Sequence, residues 1–181
     1  MLLKTLGVIS TLVILLLAVA SFQKTDFTIS RSLVINAPTT AIHAQINDFH
    51  AWQAWSPWAQ MDTKMLTRFD GPPSGQGASY YWKGNSKVGE GTMTIVSSAP
   101  ELIVMNLDFK KPMKATNIAE FRLSSEGQGT LVTWTMTGKN GLLSKTIGLF
   151  LNMDKLVGSD FEKGLAQLKL ISEVPAKSSG N

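Results

Sequence analysis

Leu102–Phe109 reads LIVMNLDF, and Thr130–Gly138 reads TLVTWTMTG. In the first, Ile103, Met105, Leu107 and Phe109 fall at alternate positions. In the second, Val132, Trp134 and Met136 alternate with Thr133, Thr135 and Thr137. Successive side chains of a strand point to opposite faces, so this pattern predicts strands with one face covered and one wet. Working outward, further strands are predicted near Lys64–Phe69, Ser79–Lys83, Gly89–Ser97 and Ala115–Ser124. Turn chemistry separates them at Gly71–Gly77, Lys83–Ser86, Ala99–Glu101, Lys111–Pro112 and Glu126–Gly129. Short connections between consecutive strands predict an antiparallel meander.

A seventh strand, Asp26–Ile35 (DFTISRSLVI), comes first. Asn36-Ala-Pro38 stops it, because proline cannot donate to a ladder. Thr39 is placed to cap a helix on which Ile42, Ile46 and Phe49 form one apolar stripe. A second short helical or irregular piece, Trp52–Trp58, is read as ending at Pro57. The covered face of the sheet needs a cover, and Leu142–Ile171 supplies it. There Met153, Leu156, Val157, Phe161, Leu165, Leu168 and Ile171 follow helical spacing. Gly158 and Gly164 each cost up to about 1 kcal/mol in a helix interior. They fit a helix that approaches the sheet closely. The order β-α-α-β×6-α predicts an α+β fold, a seven-stranded antiparallel sheet wrapped around a long C-terminal helix. A sheet curled about a helix encloses a cavity wherever its lining is not fully packed. Gly71–Gly77 reads as a mobile hairpin loop gating that cavity.

The N-terminal segment has a different character. Thr5–Gln23 holds 19 residues without an ionisable side chain, about 28 Å of helix, near the thickness of a bilayer core. Residues 1–23 are therefore expected to be a transmembrane anchor or a signal peptide, with Ala18 and Ala20 as small residues before a cut at Ser21. Either reading places the domain at 24–172 outside the cytoplasm, on the periplasmic side of a single-pass anchor, or secreted after cleavage. Residues 173–181 read as a disordered tail.

Composition narrows the function. The 181 residues are 44% hydrophobic and 17% charged, with a formal net charge of +4 and no cysteine. The absence of cysteine excludes disulfides, thiolate metal sites and a cysteine nucleophile. Lysine and arginine are scattered, without the basic stripe of a nucleic-acid binder. No Gly-x-Ser-x-Gly elbow, His-Glu-x-x-His or phosphate-binding glycine motif is present.

Ile35-Asn-Ala-Pro38, Ile46-Asn-Asp-Phe49, Trp55-Ser-Pro-Trp58, Gly89–Ile95 and Asp160–Leu165 together resemble the polyketide cyclase/dehydrase-like branch of the SRPBCC superfamily. That superfamily shares the helix-grip fold of START lipid-transfer domains and the major birch-pollen allergen. The resemblance spans about residues 27–171. It implies a hydrophobic cavity between the sheet and the C-terminal helix, and it implies no fixed catalytic residues. The fold hosts carriers, receptors and enzymes, so function has to be argued from the site.

The cavity is expected to be lined by Trp55, Trp58, Tyr80, Trp82, Met93, Met105, Phe109, Phe121, Trp134, Met136, Met153, Val157 and Phe161. Rigid rings with adaptable thioethers suit an apolar pocket. Burying about 300 Å² of apolar ligand gains about 7.5 kcal/mol, part of which association removes. The expected partner is a hydrophobic small molecule or lipid, with the membrane reached through the N-terminal segment; no cofactor and no nucleic acid are expected. The alternative is a cyclase or dehydratase acting on a hydrophobic substrate. Glu90, Glu120 or a histidine inside the cavity would favour it. Asn106 and Asn117 are the more plausible polar groups near a cavity. His43, Asp48 and His50 form a weak candidate metal cluster.

Overall fold

The computed structural model describes residues 2–173, apart from the side chains at positions 2–4, 8 and 13. A helix α1 (Leu2–Ser21) leads into β1 (Asp26–Ile35), followed by three short helices, α2 (Thr39–Asn47), α3 (Trp52–Trp55) and α4 (Pro57–Met61). The meander is β2 (Leu66–Asp70), β3 (Ser79–Lys83), β4 (Glu90–Ala99), β5 (Leu102–Lys111), β6 (Ala115–Glu126) and β7 (Gly129–Lys139). Helices α5 (Leu142–Gly148) and α6 (Met153–Ser172) close the described chain. All seven strands form one antiparallel sheet in the order β1-β7-β6-β5-β4-β3-β2. The first strand thus returns beside the last, and the sheet is open, with β1 and β2 at its edges.

Three local expectations are corrected. Pro57 begins α4 at its first turn instead of ending the tryptophan segment, since that position needs no backbone N–H. Thr39 does not cap α2; its hydroxyl lies 3.2 Å from that of Thr130, and Pro38 occupies the capping position. The C-terminal cover is two helices. The chain breaks at residues 149–152, and the Asn152 carboxamide accepts the Lys155 N–H at 2.9 Å, restarting the helix as α6.

α6 lies over β1. Arg31 Nη2 donates to Asp154 Oδ2 in the first turn of α6 at 3.1 Å, and Nε donates to Glu162 Oε1 at the middle of the helix at 2.7 Å. A Cβ at Gly158 would overlap the Arg31 guanidinium, which explains that glycine. Near its end, Glu173 Oε1 accepts the Asn36 N–H at 2.7 Å, and Lys169 Nζ donates to the Val34 carbonyl at 3.0 Å. Glu173 is therefore held to the domain; the rest of the expected tail, residues 174–181, lies outside the described residues. The Gly71–Gly77 loop is tied down rather than free, with Gly75 N–H on the Asn47 carbonyl at 3.0 Å and Gly77 N–H on that of Ile95 at 2.8 Å.

The expected membrane span over residues 1–23 is not shown. Among the described residues no helix is long and apolar enough to cross a membrane. Thr5, Gly7, Ser10 and Thr11 interrupt the first half of α1, and its unbroken apolar run, Leu12–Ala20, covers about 14 Å. What α1 does show is exposure: Leu6, Ile9, Leu12, Ile14, Leu15 and Val19 are all solvent-facing, and Phe22 just beyond is 90% exposed.

Candidate functional site

The inner face of the sheet is packed at one end and open at the other. Along β5, Ile103 and Met105 are fully buried, whereas Leu107 and Phe109 are half-buried. The same gradient runs along β7 from Val132 to Gly138, along β6 from Phe121 to Ala115, and along β1 from Ile29 to Phe27. The strand register places all these loosened positions at one end, in a row that pairs Phe27 with Gly138, Gly138 with Asn117, Asn117 with Leu107, and Leu107 with Met93.

The packed end is an aromatic cluster. Trp52 and Trp55 from α3 meet Phe121 and Trp134 edge-on, with centroids 5.7–6.1 Å apart. Phe161 from α6 stacks on Trp134 at 4.1 Å. Indole N–H groups of the short helices find backbone acceptors: Trp52 Nε1 donates to Ile46 O at 2.9 Å and Trp55 Nε1 to Gln45 O at 3.2 Å. Trp134 Nε1 is buried without a partner, a cost of about 1–3 kcal/mol. Gly164 exists because a Cβ there would sit 2.8 Å from the Trp134 ring and 3.2 Å from Pro57.

These rings correct the expectation of an enclosed cavity running under the whole helix. Of the expected lining, Trp55, Met105, Phe121, Trp134 and Phe161 are at most 2% exposed and act as packing. Met153, the first residue of α6, is 45% exposed and lies on the same helix face as Val157 and Phe161. Tyr80, Trp82, Met93 and Met136 are buried at 7–8% exposure, Phe109 and Val157 are half-buried, and Trp58, also half-buried, packs edge-on against Trp134 and Phe161. Leu107 joins the half-buried residues. Leu107 differs from Met105, two residues earlier on the same strand and face, only in its position along the strand, toward the loosened end.

The loosened end of the inner face carries few polar side chains among the described residues. Asn117, 7% exposed, is one, with its Nδ2 facing Met136 Sδ at 3.8 Å. Gly138 gives Asn117 and Phe27 the room they occupy. The Trp82 ring lies over Gly91, where a Cβ would meet it at 2.5 Å, and its Nε1 donates to Val88 O at 3.3 Å. Burial pushes the Tyr80 hydroxyl up from its ordinary range, so it stays protonated.

The other candidates face elsewhere. Glu90 sits on the outer face, where the Tyr81 hydroxyl donates to it at 3.0 Å and Lys111 lies at 3.6 Å; the hydroxyl chiefly holds its carboxyl below the usual range. Glu120 alternates outward and Asn106 is exposed. His50 pairs with Asp48 at 2.8 Å, while His43 Nε2 lies 3.3 Å from Ser98 Oγ. Ser98 donates to Asn47 Oδ1 at 2.6 Å, so its proton is not directed at the imidazole. Among the described residues no three His, Asp or Glu side chains could hold a metal ion. Two clefts outside the groove, one of about 630 Å³ beside His43, Glu101 and Arg122 and one of about 390 Å³ beside Gln60 and Lys163, include none of the expected lining residues.

A seven-stranded antiparallel sheet gripping a C-terminal helix has relatives, and residues 26–173 match the family model described as polyketide cyclase / dehydrase and lipid transport. The chain belongs to that family. Among solved structures it is similar to protein CV1439 from Chromobacterium violaceum, at 14% identity and a TM-score of 0.60, covering 81% of this chain and 96% of that one. It is similar to the di-domain ARO/CYC StfQ from the steffimycin biosynthetic pathway, at 9% identity and a TM-score of 0.61, covering 82% of this chain and 51% of that one. Ginseng major latex-like protein 151 from Panax ginseng is similar at 11% identity and a TM-score of 0.58, covering 83% and 99%. At such identities the likeness shows the shared fold. A comparison with curated proteins finds no match.

Proposed function

We propose that the chain binds an apolar small molecule or lipid at the open end of the grip, and that the N-terminal segment tethers it to a membrane on the periplasmic side. The carrying observation is the loss of cover along the inner face, where Leu107 and Phe109 are only half-buried while Trp82, Met93 and Met136 on the same face are buried, close to Asn117 in the strand register. A ligand completing that cover gains about 25 cal/mol for each Å² of apolar surface removed from water. Asn117 offers one amide to a ligand carbonyl or hydroxyl. It does not titrate, which supports binding over the proton transfer a cyclase or dehydratase requires. The family description, with its lipid transport, supports the same reading. The exposed apolar side chains of α1 support the tether, because such a surface is stable in lipid and costly in water.

Quenching by a brominated fatty acid tests the ligand, since Trp82 borders the groove. Saturable quenching of full-length protein in detergent-free vesicles, reduced in Trp82→Phe, is the expected result. Quenching that rises linearly with lipid and is unchanged in the variant would contradict it.

A further inference from the structure

The open end of the grip is also the end from which α1 arrives and α5 departs, since Asp26 pairs with Lys139. α5 buries none of its residues. Leu142, Leu143, Phe150, Leu151 and Leu156 are 49–73% exposed there. Lys145 Nζ donates to Thr25 Oγ1 at 2.9 Å, and the Asn140 N–H donates to the Thr25 carbonyl at 2.7 Å, so this segment is pinned beside the link from α1 to β1. α1 itself packs against α5. Charge follows the same logic. Between Glu126 and Asp154 the sequence has no carboxylate side chain and carries Lys139 and Lys145, while Asp154 is occupied by Arg31.

We propose that α5 and residues 149–152 form a docking face for an anionic bilayer surface, which turns the open end of the groove toward the lipid. A segment that exposes leucine and phenylalanine with lysine nearby lies in the headgroup region, its apolar side chains about 5–10 Å deep. Each lysine near an anionic surface adds to that attraction. Continuity with the exposed apolar surface of α1 selects lipid over a protein partner as the occupant. The inference rests on the membrane tether proposed above and extends it from a single attachment to an oriented one.

The chain has no cysteine, so an introduced one is the sole thiol. Spin labels on Phe150→Cys, Leu15→Cys and Glu126→Cys are read in full-length protein reconstituted in vesicles of equal parts phosphatidylcholine and phosphatidylglycerol. Oxygen accessibility is compared with that of a water-soluble nickel chelate. The docking face predicts labels 150 and 15 in lipid and label 126, at the far end of β6 and β7, in water. Label 15 in lipid with label 150 in water overturns the docking face and leaves the tether. Label 150 in lipid with label 15 in water supports the docking face and overturns the tether. Both in water overturns both. Spin–spin broadening at label 150 would show a second copy covering the face and overturns the proposal.

Discussion

The ring of Trp134 lies flat on that of Phe161, 4.1 Å centroid to centroid and 4° from parallel. This contact joins β7 to α6 and seals the packed end of the grip, so it sets where the groove begins. Phe161→Ala removes the lid of that cluster and leaves a cavity among rigid rings. It is expected to cost about 3–5 kcal/mol, read as a lowered urea midpoint with an unchanged slope. A loss below about 1 kcal/mol would show that the stack is not a main support.

Gly164 faces the same ring. In a free helix Gly→Ala gains about 1 kcal/mol, but here the added methyl meets Trp134 at 2.8 Å with Pro57 at 3.2 Å. Neither neighbour is a flexible chain end. Gly164→Ala is expected to destabilise, since overpacking typically costs about 1–3 kcal/mol; a raised melting temperature would contradict that.

How much of this was legible in the sequence follows from periodicity. Alternation in residues 102–109 and 130–138 located β5 and β7 because one wet face and one dry face leave a two-residue signature. The split between α5 and α6 was hidden, since Leu142–Ile171 reads as one cover for the sheet, yet Leu142, Leu143, Phe150 and Leu151 at its start are exposed. The division of the thirteen lining residues was also hidden. Phe121 and Phe109 are both apolar strand positions; they differ because Trp52 and Trp55 of α3 cover Phe121, a tertiary placement that no local pattern encodes. The pairing of Asp154 and Glu162 with Arg31 crosses more than a hundred residues of chain.

Acid should loosen the two ends of α6. Hydrogen bonds from Arg31 chiefly hold the Asp154 carboxyl below its ordinary 3.8, and the Asn36 backbone N–H chiefly holds that of Glu173 below 4.5. A depressed carboxyl contributes stability above its unfolded value and loses it as pH falls through the folded one. Urea midpoints are therefore expected to be flat from neutrality to about pH 5 and to fall below that. Asp154→Asn with Glu173→Gln should lower the neutral midpoint and flatten the acid limb. An identical acid limb in the variant would place the sensitivity elsewhere.

Leu107→Trp fills the groove without touching the aromatic cluster. Because Leu107 is only half-buried at the open end, the fold should survive with a melting temperature within a few degrees of the parent. Affinity for a brominated fatty acid should fall at least about tenfold, or about 1.4 kcal/mol. Unchanged affinity would move the ligand away from this face.

Native mass spectrometry of the full-length protein, released from lipid vesicles without detergent, addresses the groove most directly. A single lipid-sized adduct on the parent chain, absent from Leu107→Trp, is the predicted spectrum. A bare parent chain after exposure to vesicles, or an adduct equally present in both proteins, would contradict a ligand seated at the open end of the grip.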